Sequence, residues 1–106
     1  MKFIAYDLSL DLLQLLRPIL AAVKQQDPDL ADQIRRAATS VTMNLAEGTG
    51  RSGKERAYHY RIARGSVLEV RGGLDAAEAW GYVEKDRAAE AWRLADRIAG
   101  MLWRLG

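Results

Sequence analysis

At 106 residues, with 49% hydrophobic and 28% charged content, the chain has the size and balance of one soluble domain, 1–106, able to bury roughly two-thirds of its unfolded surface without disulfides or metals. It contains no cysteine, which excludes disulfides, thiolate metal sites and cysteine nucleophiles. Net charge is only +2, but the cations are concentrated: Arg51, Lys54, Arg56, Arg61, Arg64 and Arg71 face only Glu55 and Glu69 over the same stretch.

Asp7 and Asp11 interrupt the apolar N-terminus, so no secretory signal or membrane span is expected and a cytoplasmic location is the default. The first predicted helix starts at Ser9 as N-cap and runs to about Gln26. Leu8, Leu12, Leu15, Leu16, Ile19 and Val23 form its apolar stripe, opposite Asp11, Gln14, Arg17 and Lys24. Pro18 falls on the polar face, where water can satisfy the freed carbonyl of Gln14, so a kink rather than a break is expected.

Asp27-Pro28 supplies a cap and a proline at the first position of a second helix, which runs to about Glu47. Its stripe is Leu30, Ile34, Ala37, Ala38, Val41 and Leu45, and Gly48, Gly50 and Gly53 are expected to end it through the left-handed conformation. A long third helix follows, from about Ser52–Lys54 to Trp80. Tyr60, Ala63, Val67, Val70, Leu74 and Ala77 give it a seam with steps of three and four. A second stripe of Tyr58, Ile62, Gly65, Glu69, Gly72 and Ala76 is mostly small, which is best explained if another helix backbone comes close there. The last helix, about Glu84 to Leu105, turns Ala88, Ala91, Trp92, Ala95, Ile98, Ala99 and Leu102 inward, with Trp103 off that stripe. No strand pattern competes. The expected fold is all-α, an antiparallel up-and-down four-helix bundle.

Four constellations carry possible chemistry. Gly48-Thr-Gly-Arg-Ser-Gly-Lys54 fits the spacing of a phosphate-binding loop, but Glu55 stands where a magnesium-binding hydroxyl belongs and a helix precedes it instead of a strand. A glycine turn is the better reading, leaving only backbone N–H groups at the next helix start that could hold a phosphate. Arg36, Ser40, Asn44 and Glu47 lie along one flank of the second helix, with Ser66 and Glu69 offering matching groups on the third. With no nucleophile or metal beside Glu47, a hydrogen-bonded polar layer of Ser40, Asn44, Glu47, Ser66 and Glu69 is preferred to an active site. The sole histidine, His59, has Arg56 and Ile62 where a carboxylate–iron bundle needs its glutamates, so no metal, no cofactor and no enzymatic activity are expected; His59 is expected at a bundle edge. Lys54, Arg61, Arg64 and Arg71 share about a third of the third helix's circumference, with Arg51 before it and Arg35 and Arg36 on the second helix. Such clustering can anchor RNA or DNA through its phosphates, with Tyr58 and Tyr60 nearby to stack on bases if exposed. The alternative is a solvated face, or a structural module whose arginines pair with acids of a neighbouring subunit.

The runs Gln33-Ile-Arg-Arg-Ala-Ala, Ser40-Val, Asn44-Leu-Ala-Glu-Gly and Gly50-Arg51, then Ile62-Ala-Arg-Gly-Ser66, Glu69 and Gly81-Tyr82, carry a resemblance. They are similar to the four-helix bundle proteins encoded in intervening sequences of bacterial 23S ribosomal RNA genes, and to the accessory variability determinants of diversity-generating retroelements. The resemblance implies a ring-shaped homopentamer. In the retroelement branch it also implies a basic surface that engages nucleic acid and a reverse transcriptase. The chain departs from the commoner pattern at Lys2-Phe-Ile-Ala-Tyr6 and at Arg56-Ala-Tyr-His-Tyr60. Three tryptophans and the small-residue face of the third helix suggest more burial than a monomer needs.

Overall fold

The computed structural model describes residues 3–105, so Lys2 of the divergent N-terminal run lies outside the described residues. Four helices account for nearly all of them: α1 (Ile4–Gln26), α2 (Pro28–Thr49), α3 (Gly53–Ala79) and α4 (Lys85–Leu105). Among the described residues there is no strand. Each helix packs on the next and α4 closes back on α1, a four-helix bundle measuring 42 × 22 × 18 Å. Its long dimension matches the roughly 40 Å expected of the 27 residues of α3.

The start of α1 corrects the sequence expectation. The helix begins a turn and a half earlier than Ser9, with Phe3 as an N-cap that makes no side-chain cap bond. Ser9 is fully buried inside the helix; its hydroxyl donates to the Tyr6 carbonyl at 2.6 Å and accepts from Thr42 Oγ1 of α2 at 2.9 Å. Serine side chains bond to the preceding turn's carbonyl as readily as they cap, and here that bond disposes of a polar group inside the α1–α2 seam. Pro18 is exposed, and α1 continues through it to Gln26.

The start of α2 is as expected: Asp27 Oδ1 accepts from the Leu30 N–H at 3.0 Å, with Pro28 in the first turn. Its end is not. Gly48 lies inside the helix and is buried, and Gly50 has φ −83°, so neither uses the left-handed region. Gly48 is small because Tyr60 of α3 packs on it; an added Cβ would stand 2.8 Å from Tyr60 Cδ1. The carbonyls left over at this helix end are covered by Arg56, whose Nε donates to Gly48 O at 3.2 Å and Nη2 to Thr49 O at 3.5 Å. Positive φ occurs only at Gly53 (59°) and Gly81 (80°) among the described residues. Gly81 closes α3 in a Schellman motif, with Tyr82 N–H to Ala77 O and Gly81 N–H to Glu78 O, both 2.9 Å.

One hydrophobic core draws on all four helices, and its largest fully buried side chains are Leu12, Leu16, Ile34, Leu45, Leu74, Ile98 and Leu102. All six predicted seam residues of α3 are buried. The second, small-residue stripe behaves differently: a Cβ on Gly65 or Gly72 would meet nothing within 4 Å. The close approach expected there is absent within the chain. It occurs one residue away, where Gly73 faces Ile34 of α2.

Candidate nucleic-acid interface

Contacts between the helices collect the cations at one end of the bundle. Phe3 at the head of α1 meets Tyr60 in the first half of α3, ring centroids 5.6 Å apart, and Arg56 holds the end of α2. The second half of α4 lies along the same part of α3: the Arg64 guanidinium sits 4.5 Å over the Trp103 ring. Arg51, Lys54, Arg56, Arg61, Arg64 and Arg104 therefore share this end with the acids Asp7, Glu47 and Glu55. The other end, where Tyr82 lies close to Asp27, gathers Asp27, Asp29, Asp75, Glu78, Glu84 and Asp86 against Lys24, Lys85 and Arg87. The molecule is electrically polarised along its length.

The seven arginine and lysine residues singled out from sequence divide by what they touch. Arg35 and Arg36 both pair with Asp32, at 2.7 and 3.5 Å. Bonds from Arg35, with help from Arg36, hold the Asp32 carboxyl below the ordinary aspartate range. Arg51 reaches Glu47 at 3.7 Å and Glu55 at 3.6 Å. Arg71 is half-buried, pairing with Asp96 at 3.3 Å and lying 4.8 Å over the Trp92 ring. Lys54 and Arg61 are exposed and have no partner among the described residues, while Arg64 is engaged only by Trp103. Exposed ion pairs contribute little to stability, but they spend a cation's charge locally. Of the seven, Lys54, Arg61 and Arg64 are left without an acid partner among the described residues. At the same end Arg56 and Arg104 also lack one, Arg104 folding back toward Gly100, and elsewhere so do Arg17, Lys24, Lys85, Arg87, Arg93 and Arg97.

The polar layer is smaller than expected and includes a residue the sequence reading placed elsewhere. Ser66 Oγ donates to Ser40 Oγ at 2.9 Å, and Asn44 Nδ2 donates to Ser40 O at 3.0 Å and to Ser40 Oγ at 3.1 Å. Asn44 Oδ1 lies 3.0 Å from His59 Nδ1, so His59 joins the layer instead of standing alone at an edge. Glu47 turns to Arg51, and Glu69 touches the layer's margin only through Gln33 Nε2 at 3.4 Å. The arrangement locks α2 to α3. Among the described residues no group of three or more His, Asp or Glu could hold a metal. The near-phosphate-loop is dismantled by the fold: its first glycine is buried in α2 under Tyr60, its Arg51 is ion-paired, and its Lys54 is already in the first turn of α3.

At the opposite end Tyr82 titrates high. Partial burial withholds water from its phenolate, and the nearby Asp27 carboxylate opposes ionisation further. The unfolded chain then releases this proton at lower pH than the folded one, so stability must fall as pH rises from about 10 through the raised value. Tyr82→Phe should flatten that alkaline loss in denaturation profiles between pH 9 and about 11; an unchanged profile would contradict the Tyr82–Asp27 contact.

The family model for the 23S rRNA-intervening sequence protein matches residues 1–104. No curated protein matches the sequence. Among solved structures, the chain is similar to a protein of unknown function from the S23 ribosomal protein family of Bacteroides thetaiotaomicron. The TM-score is 0.87 at 16% identity, covering 95% of this chain and 96% of that one. That likeness establishes the fold.

Proposed function

We infer that this chain, which belongs to the 23S rRNA-intervening sequence protein family, is a non-enzymatic helical bundle that binds nucleic acid through the basic end of α3 and α4. The observation that supports this reading is the contrast among its cations. Arg35, Arg36, Arg51 and Arg71 are neutralised by acids of the same chain, whereas Lys54, Arg61 and Arg64 are presented together without one. Uncompensated arginine and lysine charge on one face is the footprint of phosphate binding, and it anchors a backbone without reading sequence. The test is the salt dependence of binding to RNA and to DNA, which counterion release makes steep.

The finer architecture belongs to the same proposal. Short connections and the nearness of Tyr82 to Asp27, which brings the α1–α2 and α3–α4 turns together, support an antiparallel, up-and-down order. No helix among the described residues is long and apolar enough to cross a membrane, in keeping with a cytoplasmic protein. A homopentameric ring and a reverse-transcriptase partner rest on resemblance to the retroelement accessory proteins.

A second reading, a structural module that uses nucleic acid for nothing, is favoured by the open face of α3. Gly65 and Gly72 are bare there and Leu68 is 48% exposed, which suits a helix from another copy. Gly65→Ala with Gly72→Ala separates the readings. If the face is free, the pair should stabilise the chain by about 1–2 kcal/mol through helix propensity. If a neighbour's backbone seats there, stability and the sedimenting mass should both fall.

A further inference from the structure

We propose that the nucleic acid taken at the basic end is single-stranded, and that Trp103 is the platform on which one of its bases stacks. The inference rests on the nucleic-acid reading above and specifies its substrate class.

Trp103 is 69% exposed, near the end of α4 and off its buried stripe. A free indole on a flexible stem would be a poor platform, but this one is held: Arg64 lies 4.5 Å over the ring, reaching across from α3. A guanidinium on one face of an indole is attracted to its π-electrons and fixes the ring's plane. The rest of the ring is left to solvent. Beside it a groove of about 460 Å³ runs between α3 and α4, with Leu68 on one wall, Ala99 and Gly100 on the other, and the Arg71–Asp96 ion pair, whose carboxylate is held by the arginine, also lining it. The apolar Leu68 and Ala99 surfaces and the flat ring suit an unpaired base. Arg104 follows Trp103 on α4 and Arg61 lies one turn before Arg64 on α3, with Lys54 about 15 Å from Arg64 along the same helix, so charge for the phosphates continues toward the bundle end.

A duplex cannot use this arrangement, because its bases are already stacked and present only their edges. In a single strand every base has a free face, and aromatic platforms flanked by cations bind such strands with little sequence preference. A second copy would have to bring its acidic end onto these cations and cover the indole, and the sedimentation comparison below tests that occupant directly.

The experiment compares single strands of about 12 nucleotides, in RNA and DNA, with the blunt duplex of the same sequence at one salt concentration. Binding is followed by anisotropy and by tryptophan fluorescence, in the native chain and in Trp103→Ala, Trp103→Phe and Arg61→Glu. Single strands should bind at least about tenfold more tightly than duplex, and Trp103→Ala should weaken them about tenfold. Trp103→Phe should retain most of the affinity, and Trp103→Ala should leave the salt slope unchanged because it removes no charge. Arg61→Glu should weaken both substrates. Because Trp103 is exposed, the variants should keep their helical circular dichroism. Equal affinity for duplex and single strands, with Trp103→Ala indistinguishable from native, overturns the stacking platform while leaving nucleic-acid binding in place. Absence of binding to any of the probes removes both. A Trp103→Ala variant with native affinity but a smaller sedimenting species assigns the indole to a subunit contact and likewise overturns the proposal.

Discussion

Ile34→Ala should lower the free energy of unfolding by about 2–5 kcal/mol, a large part of what a domain of this size possesses. Ile34 is 1% exposed, and its Cγ1 lies 2.5 Å from where a Cβ on Gly73 would stand. Gly73→Ala alone should therefore cost about 1–3 kcal/mol, since the new methyl has to displace a packed side chain between two helices. The two substitutions answer each other. In the double variant the methyl added to α3 fills space that the isoleucine has vacated, so the combined loss should fall short of the sum by about 0.5–3 kcal/mol. Urea denaturation of the four proteins closes the cycle. Strict additivity would mean that α2 and α3 do not meet in this register, and the polar layer built from Ser40, Asn44, His59 and Ser66 across the same seam would lose its basis.

That register was partly legible in the sequence. Val67, Val70 and Leu74 announced the α3 seam by spacing alone, and Asp27-Pro28 marked the start of α2, because both signals act within one helix. Ser9 misled for a local reason: a serine before a leucine run is read as a cap, yet the same hydroxyl can bond a carbonyl of its own helix and be buried. Gly48 misled because glycine marks either a helix end or a close approach, and only the position of Tyr60 decides.

The candidate interface was less legible, since it depends on what crosses between helices. Nothing in the spacing of α3 says that Arg71 meets Asp96 while Arg61 meets nothing, or that Arg64 lands on Trp103. The departure of Trp103 from the α4 stripe was the one sequence signal that the end of α4 carries something other than core. His59 likewise acquired its partner only when Asn44 was placed opposite it.

Arg61→Glu combined with Arg64→Glu should weaken nucleic-acid binding by about 10- to 100-fold at low salt. Arg61 is exposed and Arg64 reaches over the Trp103 ring, neither joins an acid, and reversing them places two carboxylates where phosphates would lie. The fold should tolerate the change, because neither residue belongs to the buried seam. Arg35→Glu with Arg36→Glu is the matched control. It reverses the same charge, but at residues that already share Asp32 and lie roughly 20 Å along α2 from the basic end. Its effect on binding should be small, whereas a protein attracting nucleic acid by net charge alone would suffer equally from either pair.

The central claim is tested most directly by titrating one single-stranded RNA against these three proteins over a range of salt. The native chain should lose affinity linearly in log–log form. The α3 pair should bind more weakly with a slope shallower by about 2, and the α2 pair should follow the native line. Identical lines for all three proteins, or a native affinity that ignores salt, would contradict a phosphate-binding face at Lys54, Arg61 and Arg64.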